Sequence, residues 1–421
     1  MFQRKQLNQR SCGLLMLICF YLVIIYFNSF QVPFLFDDRM IVRDPKNLHL
    51  THLTPQAIVA TFFKGESVYR PLSRLSFAFN YYIGRHHVAG YHLVNIIIHL
   101  ITTIFLYKTI LLLLSLSRIR LTSGEILFAA GLATILWAAH PIQTQAVTYI
   151  VQRMASMAAM FYIIGLWCYV HFRMAIGSCG GLDKKSAVKW GGLSLLFVFC
   201  SLASKENAAL FPVAILLVEF FFFRGYELLT SKPLRAAMVI SGVLLVLFFI
   251  GEHYIGGIEK IRSSYDLIPF TLMQRVLTES RVLFLYVFQI FYPVPSQFSL
   301  VHFIPVSESL FIPFTTFCAV VGIIILLAAA FIMGARLPLV GFPIAFYFFH
   351  HMVESSFLSL ELIYEHRNYL PSVFLFVPLS LGIIKLLRYC HRQSRVVWTA
   401  MFILTTSVVF FIGLTSHMRN H

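Results

Sequence analysis

The sequence predicts an all-α polytopic membrane protein of about eleven transmembrane helices. Three observations predict it. Of 421 residues, 59% are hydrophobic and only 12% are charged, about half the charged share of an ordinary soluble domain. The mean hydropathy is +0.80. Apolar runs near 12–30, 91–115, 123–139, 154–172, 190–204, 207–223, 236–254, 311–333, 337–354, 371–387 and 396–415 approach the roughly 20 residues that cross about 30 Å of hydrocarbon. This composition excludes a soluble surface, a disordered chain and a fibrous repeat.

The first run follows MFQRKQLNQR. It is too long for a signal-peptide core and no small-residue cleavage site follows it, so it reads as an uncleaved anchor. Arg4, Lys5 and Arg10 hold the N-terminus in the cytoplasm. Alternation then places Arg118/Arg120, Arg173/Lys184/Lys185/Lys189, Arg224/Lys232/Arg235, Arg336 and Lys385/Arg388/Arg392/Arg395 on the same side, as the positive-inside rule requires. The C-terminus is expected outside, in a bacterial inner membrane or the endoplasmic reticulum equivalent. The formal charge of +16 is thereby assigned to loops that touch anionic membrane lipid. No basic stretch interleaves with aromatics on a soluble module, so nucleic acid is not an expected partner.

The carboxylates show the opposite bias. Asp37, Asp38, Asp44, Glu66, Glu206, Glu252, Glu259, Asp266, Glu279, Glu308, Glu354, Glu361 and Glu365 fall outside or at the outer membrane edge. Two long loops, 31–90 and 255–310, lie on that face and are expected to carry short helices. Long loops in a compact protein tend to be functional, so the extracytoplasmic face is the working surface of a single domain, 1–421. Within the second loop, VLFLYVFQIFYPVP (282–295) is too short to span and is stopped by Pro293 and Pro295. It reads as a re-entrant or interfacial helix. The seven cysteines include no CxxC pair and none is placed outside, which argues against a disulfide framework and a zinc site.

Five constellations could carry chemistry. FLFDDRMIVRDP (34–45) sets Asp37 and Asp38 at the membrane surface. The pair reads as a general base or a metal ligand, or as a solvated loop with an Asp capping the next turn. The stretch 67–99 gathers Arg70, Arg74, Tyr81, Tyr82, His92, Asn95 and His99. His92, Asn95 and His99 share one helical face, and either face a functional cavity or hydrogen-bond between helices. AAHPIQTQAVTYIVQRMAS (138–156) holds His140, Gln143, Gln145 and Arg153, and LASKENAALFP (202–212) holds Lys205 and Glu206. HHMVESSFLSLELIYEHRNYLPS (350–372) holds Glu354, Glu361, Glu365, His366, Arg367 and Tyr369. Arg153, Lys205 and Arg367 suit a phosphate clamp. There is no P-loop, GxSxG, HExxH or EF-hand, and the cytoplasmic loops are too short for a nucleotide-sugar domain. Any activated donor must therefore reach the outer face already activated, as a polyprenyl-phosphate-linked sugar does. No cofactor is required. A divalent cation with waters and a phosphate could sit on Asp37/Asp38, but no further carboxylates cluster there, and base catalysis fits better, so no metal site is assigned.

FLFDDRMIVRDPKNL, VYRPLSRLSFAFNYYIG, GYHLVNIIIHLITTIFLY, AAHPIQTQAVTYIVQRM, SKENAALFP and YEHRNYLPS occur in that order over about 34–375. Together they resemble the membrane region of the TMTC proteins, transmembrane and TPR-containing O-mannosyltransferases of the GT-C class. The resemblance implies a polyprenyl-phosphate sugar donor, a protein or glycan hydroxyl acceptor, an inverting transfer of mannose or a similar hexose, and Asp37 as general base with Asp38 supporting it. The TMTC proteins carry a TPR array after the last span; this sequence has no 34-residue repeat and ends at His421. A separate TPR or acceptor-presenting partner, a lipid-linked glycan acceptor, or recognition by loops 31–90 and 255–310 are the expectations that follow. The rival readings are an en bloc oligosaccharide ligase, a membrane transporter and a non-catalytic assembly subunit; the acidic pair argues against the last.

Overall fold

The computed structural model describes residues 2–39, 41, 48–63, 70–117, 119–176, 183–223, 263–334, 336–356 and 358–420. Among them every regular element is helical. The α-helices are α1 (Phe2–Tyr26), α2 (Pro55–Phe63), α3 (Pro71–Gly84), α4 (Val88–Leu116), α5 (Ser123–Ala138), α6 (Thr144–Thr148), α7 (Arg153–Ile176), α8 (Lys184–Leu202), α9 (Phe211–Phe222), α10 (Leu272–Phe291), α11 (Thr315–Gly334), α12 (Pro338–His350), α13 (Phe376–Gln393) and α14 (Arg395–Arg419). The chain is a multi-pass membrane protein. It divides into two compact units, Met1–Ala208 with Leu375–His421, and Ala209–Phe374.

Among the described residues six helices are long and apolar enough to span, or seven if α5 and the segment Pro141–Thr148, bent by 51°, form one broken span. Eleven were expected, and the differences have physical causes. The expected span 207–223 begins with a 3₁₀ turn, Glu206–Leu210, so the helix starts at Phe211, beside Pro212, and has 12 residues. The expected span 337–354 becomes a 13-residue helix that ends at His350. The expected span 371–387 is displaced into α13, whose Lys385, Arg388 and Arg392 make it amphipathic rather than uniformly apolar. The expected span 236–254 lies outside the described residues. Of the apolar stretch 282–295, residues 282–291 are the second half of α10, a 20-residue amphipathic helix that starts at a Thr271/Gln274 capping box. Sequence hydropathy missed its first half because Arg275, Glu279 and Arg281 interrupt it.

In the first unit α7 packs along α8, α4 against α5 and α7, and α13 against α5 and α14. The last helix returns to the first: Tyr21 donates to the Val409 carbonyl at 3.2 Å, and Asn28 Nδ2 to the His417 carbonyl at 2.7 Å. The polar stripe of α4 is interhelical. Nε2 of His92 donates to the Val32 carbonyl (3.0 Å) and Nε2 of His99 to the Ala138 carbonyl (3.0 Å), which fixes both as donors.

In the second unit α11 and α12 form an antiparallel pair with α10 and α9 against it, and phenylalanines 221, 331, 342, 346 and 374 fill the contacts. Gly341 lets α12 approach α11: a Cβ there would collide with the Ala330 carbonyl and with Phe221. The carbonyl is backbone and yields only if the helices separate. Gly341→Ala should therefore destabilise by about 1–3 kcal/mol, read as a lower thermal midpoint in detergent, whereas Gly382→Ala, with open space at its Cβ, should raise or leave that midpoint unchanged.

Candidate functional site

The acidic pair is built from the chain just after α1. Residues Phe36–Asp38 form a single 3₁₀ turn. Phe36, at φ 35°, occupies a left-handed conformation that costs a side-chain-bearing residue about 1–2 kcal/mol. The bonds around Asp38 hold the turn in place. The Asp38 amide donates to the Leu35 carbonyl at 2.7 Å. Its carboxylate accepts the Leu35 N–H at 3.0 Å and, across the fold, the Val151 N–H at 2.6 Å. Asp38 is 1% exposed. Asp37, next to it, is exposed. The two carboxylates thus have different environments, one anchored by backbone donors and one open.

Burial pushes the Asp38 carboxyl up to about 6, against the lowering effect of the Leu35, Val151 and Ile150 backbone donors, with the Asp37 charge adding to the rise. A folded value above the unfolded one of 3.8 means that this group stabilises most when protonated. Its contribution is full below about 4 and is lost as pH rises through about 6. Thermal midpoints of wild type and Asp38→Asn, compared from about pH 4 to 7, should show a wild-type advantage that shrinks as pH rises. An advantage that grows would contradict this account of Asp38.

Tyr149 is the residue that sequence reasoning passed over. Its hydroxyl accepts the Asp37 N–H at 2.8 Å and hydrogen-bonds the Asp37 side chain. Its ring lies in a core cluster with Ile41, Phe77, Tyr91, Ile150 and Val151, against which Phe34, Leu35 and Met154 pack. The turn that carries the acidic pair is therefore laid on residues 149–154. Its neighbours in AAHPIQTQAVTYIVQRM drew attention as polar residues; a tyrosine in an apolar block gave no such signal.

Behind this surface sits Arg153, fully buried. Nε donates to Asn95 Oδ1 at 2.6 Å, Nη1 to the Ser76 carbonyl at 3.2 Å and Nη2 to the Tyr91 carbonyl at 2.9 Å. The guanidinium also stacks over Phe77. Asn95 Nδ2 donates in turn to the Val147 carbonyl at 3.1 Å. Arg153 thus ties α3, α4 and the start of α7 together, and its donors are committed to protein. Arg70, the N-cap residue of α3, pairs with Glu206 through both carboxylate oxygens, Nε to Oε2 at 2.8 Å, and contacts Met154 Sδ at 3.2 Å. Burial alone would raise the Glu206 carboxyl, but Arg70 and Lys205 outweigh it and hold it low. Lys205 is buried beside Glu206. His140 accepts the Ile142 N–H at Nδ1, and with buried Gln143 it shapes the bend between α5 and α6.

Arg367, Glu365, His366 and Tyr369 belong to the other unit. Arg367 lies 3.4 Å from Glu279, which also pairs with Arg275 at 2.8 Å. Arg367 donates to the Leu362 carbonyl at 3.1 Å and to that of Glu361. Arg275 holds the Glu354 and Ser356 carbonyls. Two buried arginines bridged by Glu279 therefore hold the carbonyls of Glu354, Ser356, Glu361 and Leu362, and Arg367, like Arg153, donates to protein acceptors. Glu365 accepts the Ser299 N–H and His302 Nε2, each at 2.9 Å. His366 and Tyr369 are buried in the same turn, the Tyr369 N–H bonding the His366 carbonyl. Among the described residues no three His, Cys, Asp or Glu side chains gather as a metal site.

No family model and no solved structure matches the chain. It is similar to protein O-mannosyl-transferase TMTC2 of Homo sapiens, 28% identical over 245 residues, 55% of this chain and 27% of that protein. Protein O-mannosyl-transferase Tmtc3 of Drosophila melanogaster is 28% identical over 214 residues, 47% of this chain and 22% of the relative. Protein O-mannosyl-transferase Tmtc2 of the same fly is 28% identical over 276 residues, 62% and 27% respectively. The chain spans about a quarter of the length of these curated relatives. By its sequence the chain is TMTC-like, similar to the protein O-mannosyl-transferases of that group over about half its own length.

Proposed function

We propose that this chain is a glycosyltransferase of the GT-C class that moves one hexose, mannose being the first candidate, from a polyprenyl phosphate to a hydroxyl at the extracytoplasmic face. The names of its relatives support the reaction class and favour a protein Ser or Thr acceptor. The observation that carries the assignment of roles is the division of the acidic pair: Asp38 is buried on two backbone donors while Asp37 is open and held by Tyr149. Asp37 takes the proton of the acceptor hydroxyl as its oxygen attacks the anomeric carbon. The bond from that carbon to the phosphate oxygen breaks, polyprenyl phosphate leaves, and direct displacement inverts the carbon. Lys205, beside the Arg70–Glu206 ion pair, supplies positive charge at the edge of the site as charge grows on the departing phosphate. Arg153 acts from behind, by shaping the platform under residues 149–151. Arg367 supports the loop 354–362 of the other unit.

Mass spectrometry of glycoproteins from cells with and without the chain tests this reading. The expected difference is single hexoses missing from Ser or Thr. Loss of whole preassembled glycans would instead identify an en bloc ligase, and unchanged glycoproteins would remove the proposal.

A further inference from the structure

We propose that the end of the helix group α4, α7 and α8 opposite the acidic pair is a binding site for the headgroup of an anionic phospholipid. Lys108 follows Val88 on α4 by 20 residues, a rise of about 30 Å, and so lies in the far part of that span, which ends at Leu116. His171 lies near the end of α7, and Lys189 and Trp190 lie near the start of α8. The three helices meet in one cluster. Trp167 and Trp190 are edge to face with centroids 5.2 Å apart. His171 stacks on Trp190 at 4.7 Å and stands edge-on to Trp167 at 4.6 Å. Lys108 Nζ lies over the Phe105 and Trp167 rings, at 4.9 and 5.6 Å, and Lys189 Nζ over Trp190 at 4.9 Å.

Two cations are therefore held on aromatic faces with neither committed to a carboxylate. Among the described residues neither lysine forms an ion pair, and the nearby Asp183 spends its carboxylate on the Ser186 N–H as the cap of α8. A cation over a ring keeps most of its charge for a second, anionic partner. Two lysines on a contacting indole pair offer positive charge to a phosphodiester, and tryptophans suit the polar–apolar boundary where a lipid phosphate sits. The surface beside the cluster identifies the source as bilayer lipid rather than free phosphate. Val188 is 77% exposed, and Leu195, Leu196 and Phe199 are exposed on the same spanning helix, so the helix that carries Lys189 also offers acyl chains an apolar face.

The indoles report on the site. Of four tryptophans, Trp137 is fully buried, and a Trp398→Phe background leaves Trp167 and Trp190 as the accessible emitters. The full chain is placed in phosphatidylcholine bilayers containing brominated phosphatidylglycerol or, at equal mole fraction, brominated phosphatidylcholine. Stronger quenching by the brominated phosphatidylglycerol is expected, weakening with added salt. Each change among Lys108→Gln and Lys189→Gln should reduce the preference by about fivefold, and Lys108→Arg should retain it. Equal quenching by the two lipids, or an unchanged preference in the Lys108→Gln/Lys189→Gln protein, would overturn the proposal. So would inorganic phosphate abolishing the preference at concentrations too low to act by screening, because the site would then take the free ion.

Discussion

Asp37→Asn should reduce sugar transfer by about 10²–10⁴-fold while leaving the thermal midpoint in detergent unchanged. The carboxylate is exposed, and its backbone N–H to Tyr149 survives the substitution, so the fold loses almost nothing. The amide cannot take a proton from the acceptor hydroxyl, so the chemical step loses its base. Initial rates with a lipid-linked hexose, measured beside the melting curve, check both halves. An Asp37→Asn protein that turns over at a near-normal rate would dismiss this residue as the base. Asp38→Asn differs in kind. It withdraws one acceptor from the Leu35 and Val151 N–H groups, so its activity loss should come with a measurable stability change.

Arg153→Ala should prevent accumulation of folded protein. Three acceptors, Asn95 Oδ1 and the Ser76 and Tyr91 carbonyls, lose their donor inside the unit. An unsatisfied buried polar group costs about 1–3 kcal/mol, and a typical domain has only about 5–15 kcal/mol in total. Arg153→Lys keeps the charge but not the fork, and should fold with a lowered midpoint. The check is the monodisperse yield and melting curve of each variant. If Arg153→Ala kept the wild-type midpoint and lost only apparent donor affinity, the guanidinium would be a phosphate ligand rather than a tie between helices.

The contrast between these two residues shows what the sequence made legible. Spacing was enough to place His92, Asn95 and His99 on one face, and the structure finds that face bonded to neighbouring backbone. Adjacency was enough to find Asp37 and Asp38. It did not reveal which was buried, because the donor that anchors Asp38 is Val151, 113 residues away. Arg70 and Glu206 were each visible as polar residues, but their pairing spans 136 positions. Arg153 and Arg367 read from their blocks as arms of a phosphate clamp. Only the fold shows that one is spent on Asn95, Ser76 and Tyr91 and the other on Glu279 and the loop after it. Among the described residues, helices depart from the expected spans where local chemistry shortens or repatterns them. Pro212 and the turn before it start α9 late, and the basic residues of α13 turn an apolar run into an amphipathic one.

The most direct measurement is a transfer assay with the purified full chain, a polyprenyl-phosphate-linked mannose and a Ser/Thr-containing acceptor, following both glycosylated product and released polyprenyl phosphate. The account predicts that the two appear in equal amounts, with the product carrying the inverted anomeric configuration and a nucleotide sugar giving none. Product formed with retention, or formed from the nucleotide sugar as readily as from the lipid-linked one, would contradict it.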